Sequence, residues 1–287
     1  MIADAFLWIL NRTPSLRRAL WRALFDLLAM RFRHIGWWTM MNYGYAEPGQ
    51  ADRSFDLQSA DEPERYPIAL YHHVAMLAPV AGRDVLEVGS GRGGGASYIA
   101  RYLKPRRMVG LDLSGKAVAF SSKRHGVANL HFQQGDAEQL PFDDESFDSV
   151  INVESSFCYP SIDRFFAEVR RVLRPGGHLH YTDLRLAHEV EAWRQAIGRS
   201  GLELIVERNI TPNVVEALHR DSPRRREGAR RITGRVFAGL ADVFTGVDGT
   251  RIPSLLAGGE MAYYSFLLRK PPVSAVISAP VSAYAAG

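Results

Sequence analysis

The feature that most constrains this chain begins after Arg83, where short apolar runs alternate with segments of helix length. The strand candidates are DVLEVG (84–89), RMVGLDL (107–113), LHFQQG (130–135), SVINVE (149–154) and HLHYTD (178–183). Parallel neighbours need a long return connection, so this alternation predicts a parallel sheet with crossover helices. Each run carries an acidic or polar residue at or near its carboxyl end. Ligands of open α/β sheets lie outside those ends, so Glu87, Asp112, Asp136, Glu154 and Asp183 are expected around one crevice. LELIVERNI (202–210) and EMAYYSFLLRK (260–270) read as two later strands. The residues between them have helical character and form an insertion.

After the first run comes GSGRGG, Gly89 to Gly94, which fits the G-x-G-x-x-G pattern of a dinucleotide loop. Such a loop holds pyrophosphate on backbone N–H groups at a helix N-terminus. Glu87 argues against pyrophosphate, because a carboxylate two residues before Gly89 repels it strongly in a medium of low dielectric. An acid there suits a ligand with a cationic amine and a sulfonium, as in S-adenosylmethionine. Gly89, Gly91 and Gly93 then let the backbone approach that ligand closely. Asp112 stands where an acid accepts from ribose hydroxyls in either reading. In GDAEQLPF, Asp136 can accept from an adenine amino group and Ala137 leaves room for the ring, on which Leu140 and Phe142 are expected to pack.

Through VLEVGSGRG, GLDLS, GDAEQLPF, FDSVINVES and LRPGG, between Pro79 and Thr182, the chain resembles the class I S-adenosylmethionine-dependent methyltransferases. It is more narrowly similar to bacterial phthiotriolone and phenolphthiotriolone dimycocerosate methyltransferases. LYH (70–72), GGGASY (93–98), FDDESFD (142–148), NVE (152–154), CYP (158–160) and DLR (183–185) carry that likeness. The resemblance implies an α/β Rossmann-like sheet of seven strands, mostly parallel with one antiparallel. It implies a helical cap from the N-terminal helices (1–77) and the insertion (212–258), around a core of 78–211 and 259–270. Glu87, Gly89 and Gly91 would touch the methionine part, Asp112 the ribose, Asp136 and Ala137 the adenine, and Asn152 the methyl-donor side. Ser90, Gly93 and Leu113 complete the expected cofactor-binding set.

Related methyltransferases carry His two or three residues after the NVE-like acid, whereas this chain has Phe157 in ESSFCYP. An aliphatic alcohol needs a positioned base, so His72, Asp183 and His180 become the candidates. Each has a bland reading: His72 as a helix cap, Asp183 as a backbone partner, and His180 as packing beside His178 on one strand face. Phe157 also allows C-methylation of an alkene or prenyl group, with a carbocation steadied by Phe157, Tyr159, Trp37 or Trp38. A third reading is a cofactor-binding or membrane-surface protein without turnover. The acceptor pocket is expected among Trp37, Trp38, Tyr43, Tyr45, Phe157 and Tyr159, which favours a lipophilic lipid, polyketide or terpenoid.

Ser15 to Arg33 has the apolar spacing of an amphipathic helix, with Leu16, Leu20, Leu24, Leu27 and Leu28 among arginines. It reads as packing on the core or on a second copy in a homo-oligomer, or as a basic helix on an anionic membrane. AFLWIL (5–10) is too short to span a bilayer. The net charge of +4 is too small to argue for nucleic acid. A single cysteine, Cys158, excludes an intramolecular disulfide and a cysteine-built zinc cage, which suits a cytoplasmic setting. No metal site is expected. The arginine run from Arg220 to Arg235 reads as a solvated helix face, with phosphate or anionic lipid as its functional alternative. The small, uncharged tail from 271 to 287 is expected to be disordered.

Overall fold

The computed structural model describes residues 14–32, 34–36, 38–50, 55–232, 246–247 and 250–272. The expected tail from 273 onward, the AFLWIL run and Trp37 lie outside the described residues. Seven strands form one sheet: β1 (Asp84–Val88), β2 (Arg107–Asp112), β3 (Leu130–Gln134), β4 (Phe147–Val153), β5 (Leu173–Leu186), β6 (Glu203–Asn209) and β7 (Met261–Arg269). Their order is β3-β2-β1-β4-β5-β7-β6. The first five are parallel, and β7 runs antiparallel between β5 and β6. This is the sheet of a class I methyltransferase fold.

All five residues of β1 are buried, as a central parallel strand covered on both faces requires. Alternate side chains feed opposite layers. Val85 joins the core under α2 (Arg65–Ala75) and α3 (Gly94–Tyr98), whereas Leu86 and Val88 meet the opposite layer. That second layer is built by α5 (Ile162–Val172), whose Phe165, Phe166, Val169 and Val172 are fully buried, and by Trp193 of α6 (Val190–Arg199). Each such side chain contributes roughly 1.5–3 kcal/mol by burial. Ser161 starts α5 by accepting the Arg164 N–H at 3.3 Å, and Ser114 starts α4 (Gly115–Arg124) by accepting the Ala117 N–H at 3.1 Å.

Outside this sandwich lie α1 (Pro14–Arg31), α7 (Thr211–Ile232) and α8 (Arg251–Ala257). Helix α1 packs on α4 and on the turn after β4. Three arginines of α7 are tied inward: Arg224 and Arg225 to Asp221, and Arg220 to Glu216 and the carbonyls of Glu47 and Gln50. Among the described residues no helix is long and apolar enough to cross a membrane, and no group of three or more metal-binding side chains occurs.

Candidate active site

The strand ends meet where β1 gives way to the glycine loop. Gly89 has φ 78°, and a Cβ on it would lie 2.4 Å from Ser155 Oγ, so only glycine fits. Gly91 has φ 53°, with Met41 Sδ at 3.7 Å as the single neighbour of its notional Cβ. The Gly89 and Ser90 N–H groups donate to the Leu111 carbonyl, which ties the loop to β2. Asp112 closes the same turn: Oδ2 accepts the Gly91 N–H and Oδ1 the Ser114 N–H, both at 2.8 Å.

Glu87 is fully buried at the end of β1. Its Oε1 accepts the Tyr71 hydroxyl at 2.7 Å, and Oε2 has no hydrogen-bond partner among the described residues. Burial, helped by the Asp112 carboxylate, pushes its carboxyl up to about 7 against the Tyr71 hydrogen bond. Asn152, fully buried on β4, donates from Nδ2 to the Val88 carbonyl, Ser155 Oγ and Tyr159 Oη at 2.8–3.0 Å. Its Oδ1 is unpartnered among the described residues, as is the buried Ser90 Oγ. Orphaned buried acceptors are costly unless a ligand satisfies them. These three stand on the β1 end, the loop and β4, and with Asp112 they fit a cationic ligand that donates N–H bonds. They do not fit a pyrophosphate.

Helix α1 crosses the mouth of this crevice. Arg18 Nε lies 3.0 Å from Asp136 Oδ2, and its Nη2 donates to Glu138 Oε2 at 2.7 Å. Further along, Ser114 Oγ donates to Asp26 at 2.5 Å, and Trp21 meets Phe157 edge-on at 5.8 Å. Asp136 stands two residues beyond β3, in an isolated bridge to Gln139. Ala137 and Leu140 are buried in the second core layer, and Phe142 packs edge-on against Phe147. Leu140, expected against an adenine, is thus taken up by the core, and Phe142 is partly buried against it. Leu113 is partly accessible, and its carbonyl accepts from Gln134.

On the acceptor side, Glu154 follows β4 with a left-handed backbone, φ 46°. Its Oε1 accepts the Tyr43 N–H and the Tyr263 hydroxyl, each at 2.6 Å. Burial and the nearby Asp183 carboxylate push it up to about 8, against those hydrogen bonds and Arg225. Asp183 is fully buried and saturated. Oδ2 accepts Ser156 Oγ at 2.5 Å and the Phe157 N–H at 3.0 Å and pairs with Arg185 at 3.2 Å, while Oδ1 accepts the Leu184 N–H. That arrangement orders the turn after β4 and occupies both oxygens of Asp183, the expected candidate base.

His180 is fully buried beside α2, with Nδ1 3.0 Å from the Val74 carbonyl, and burial lowers its pKa to about 4. His72 stacks on Phe55 at 4.3 Å and bonds the Tyr98 hydroxyl at 2.7 Å, a different wall from the one its neighbour Tyr71 reaches. Of the expected acceptor-pocket residues, Phe157, Tyr159 and Tyr43 border the strand ends. Tyr45 instead stacks on His73 at 4.3 Å and bonds Glu47. Trp38 packs edge-on against Phe32 at 5.6 Å, under the Arg92 guanidinium.

The family described as "Methyltransferase domain" matches residues 86–181. The phthiotriol/phenolphthiotriol dimycocerosates methyltransferase of Mycobacterium leprae (strain TN) is 40% identical over 88% of this chain and 93% of that protein. The chain belongs to the S-adenosylmethionine-dependent methyltransferases. Another relative, the fatty-acid O-methyltransferase of Mycolicibacterium smegmatis, is 46% identical over 63% of this chain and 65% of that protein. Two solved structures share the fold. The [4+2]-cyclase SpnF has a TM-score of 0.64 at 22% identity, covering 88% of this chain and 95% of that one. Geranyl diphosphate methyltransferase with GPP and sinefungin has a TM-score of 0.64 at 17% identity, covering 88% and 99%.

The cofactor of this methyltransferase is S-adenosylmethionine, whose ammonium and sulfonium match the orphaned acceptors at Glu87, Ser90 and Asn152. Two residues at the site, Tyr71 and Arg92, have no role assigned by the sequence, and Glu154 has only a place. Tyr71 stands inside LYH, next to the candidate His72. Arg92 binds the carbonyls of Trp38 and Ile35 at 2.5 and 2.7 Å, clasping the segment after α1 to the glycine loop. Glu154 was legible as an acid at a strand end, but its backbone and partners were not.

Proposed function

We propose that this methyltransferase methylates an oxygen of a lipophilic acceptor, a lipid, polyketide or terpenoid, beneath a cap formed by residues 1–77 and 212–258. The observation that carries the reading is the apolar wall at the mouth, where Trp21, stacked on Phe25 at 5.7 Å, meets Phe157 edge-on. Apolar walls of this size favour acceptors whose hydrocarbon parts leave water on binding. The names of the two relatives, which act on dimycocerosates and fatty acids, point to the same chemistry.

S-adenosylmethionine supplies a sulfonium methyl group open to in-line attack. The chain's own part is positioning. Glu87, Asp112 and Asn152 hold the donor side, while the aromatic wall excludes water and confines the acceptor, so much of the rate comes from near-attack geometry.

The outer surface of α1 extends the reading. Leu16, Leu27 and Met30 are 39%, 50% and 48% exposed, beside the exposed Arg22 and Arg31. This pattern suits an anionic membrane surface from which a lipid acceptor enters. A cytoplasmic enzyme meeting the bilayer through α1 should pellet with anionic vesicles, and Leu27→Glu should release it. Sedimentation as a dimer without vesicle binding would assign the same stripe to a second copy.

The test of the reaction is incubation with methyl-labelled S-adenosylmethionine and either hexadecanol or hexadecanoic acid, with the new methyl located by NMR. An ether or ester methyl is expected. A new methyl on carbon in a prenyl acceptor, with neither probe modified, would replace this reading by C-methylation.

A further inference from the structure

Among the described residues three that are not glycine, Lys104, Glu145 and Glu154, have positive φ, and Glu154 is the one at the strand-end crevice. A side chain adopts that backbone only where its surroundings hold it there, and such residues concentrate at functional sites. The hold is visible: the Glu154 N–H donates to the Thr182 carbonyl at 3.0 Å, and the carboxylate takes the Tyr43 N–H and the Tyr263 hydroxyl on the same oxygen. Oε2 accepts nothing from the described residues. Tyr43 belongs to the segment that follows α1 and Tyr263 to β7, so cap and sheet together aim this carboxylate.

The other candidates are engaged elsewhere. Asp183 would have to give up bonds from Ser156, Phe157, Leu184 and Arg185 to take a proton. His180 lies in the core beside α2, and His72 stacks on Phe55. We propose that Glu154 is the general base, its Oε2 taking the proton of the acceptor hydroxyl during methyl transfer. The role rests on the O-methylation reading above. As the acceptor oxygen bonds the methyl carbon, the carbon–sulfur bond breaks with its electron pair staying on sulfur, which leaves a neutral thioether. The hydroxyl proton moves to Glu154 and then to solvent.

The groups facing Glu154 tune it. Burial and Asp183 raise its pKa to about 8, opposed by Tyr263, Tyr43 and Arg225. A base must be ionised to act, so turnover of an alcohol should climb through neutral pH and level off above about 8.

The test combines kinetics with a titration of the free protein, using hexadecanol and hexadecanoic acid as acceptors and carbon-13 NMR of labelled glutamates. In the free wild type a glutamate should titrate near 8 and be missing from Glu154→Gln. That variant should lower hexadecanol turnover by roughly 10²-fold to 10⁴-fold, with S-adenosylhomocysteine affinity within about threefold. The ratio of alcohol to acid turnover should fall with it, because a carboxylate acceptor needs no base. Tyr263→Phe removes a bond that favours the ionised form, so the pH limb and the NMR titration should both move alkaline. The proposal is overturned if Glu154→Gln binds S-adenosylhomocysteine and keeps alcohol turnover, or if Tyr263→Phe leaves the limb in place. Should Glu154→Gln fail to fold, Tyr263→Phe decides alone. A wild type that methylates hexadecanoic acid and never hexadecanol would remove the base while leaving O-methylation intact; one that methylates neither removes both.

Discussion

The two sides of the crevice are built differently. The donor side is backbone: a strand, a loop whose turns require glycine at Gly89 and Gly91, and carboxylates whose partners are nearby N–H groups and one tyrosine. The acceptor side is assembled from distant side chains. Trp21 of α1, Tyr43 of the following segment, Phe157 after β4 and Tyr263 of β7 meet at Glu154 and its surroundings. The contrast teaches that the glycine-loop side is held by local backbone, whereas the side around Glu154 depends on how the segment after α1 and β7 are seated against each other.

Truncation should break this contrast most severely. Removing residues up to Arg33 deletes Arg18, Trp21 and Asp26 from the mouth while leaving the glycine loop whole. Transfer to hexadecanol should become undetectable, while S-adenosylhomocysteine still raises the melting temperature. Equal loss of both would mean that the two sides are one unit.

On the donor side, Asp112→Ala should weaken S-adenosylhomocysteine binding by about 1.5–3 kcal/mol through lost charge-assisted bonds, measured by calorimetry. The acceptor KM should stay unchanged. A shift in acceptor KM as large as that in cofactor affinity would contradict the separation.

The next expected effect is one of pH. Burial raises Glu87 to about 7, so in the free protein it keeps a proton that the unfolded chain has already lost. Stability should fall as pH rises from about 4.5 to 7, and the sulfonium donor, which favours the carboxylate anion, should bind more tightly over the same rise. Glu87→Gln should make the stability curve less steep, leaving the part due to Glu154, and should flatten the binding curve, with thermal melts and binding titrations as the measurements. A slope of opposite sign would show that the donor's charge lies elsewhere.

Arg18→Ala should have the smallest effect. Its guanidinium is about one-third exposed and pairs with Asp136 and Glu138, so the pair itself is worth under roughly 1 kcal/mol. Freeing Asp136 should tighten S-adenosylhomocysteine binding a few-fold if the adenine amino group uses that carboxylate. Weaker binding would show Arg18 to be part of the clamp.

Much of the donor side was legible in the sequence because its determinants are close along the chain. GSGRGG, Glu87 before it and Asp112 at the end of β2 are spaced by single strands and turns, and the alternation of short apolar runs with helix-length segments marks a parallel sheet. Asp136 was legible as an acid after β3, but not Arg18 beside it, which comes from more than a hundred positions away. The acceptor side resisted because residue type does not reveal direction. Tyr71 and His72 are neighbours on α2, yet one helical step sends the tyrosine to Glu87 and the histidine to Phe55.

What the sequence by itself determined was the parallel sheet, the glycine loop and the positive charge of the ligand, since these depend on local backbone geometry and on a carboxylate two residues before the loop. The tertiary structure alone decided which acid keeps an oxygen without a donor among the described residues. Asp183 and Glu154 are both acids at strand ends, but four donors converge on the first, and both donors to the second fall on a single oxygen. Whether a carboxylate is structural or available depends on how many donors the rest of the fold brings to it, and those donors arrive from β7, the segment after α1 and the turn after β4.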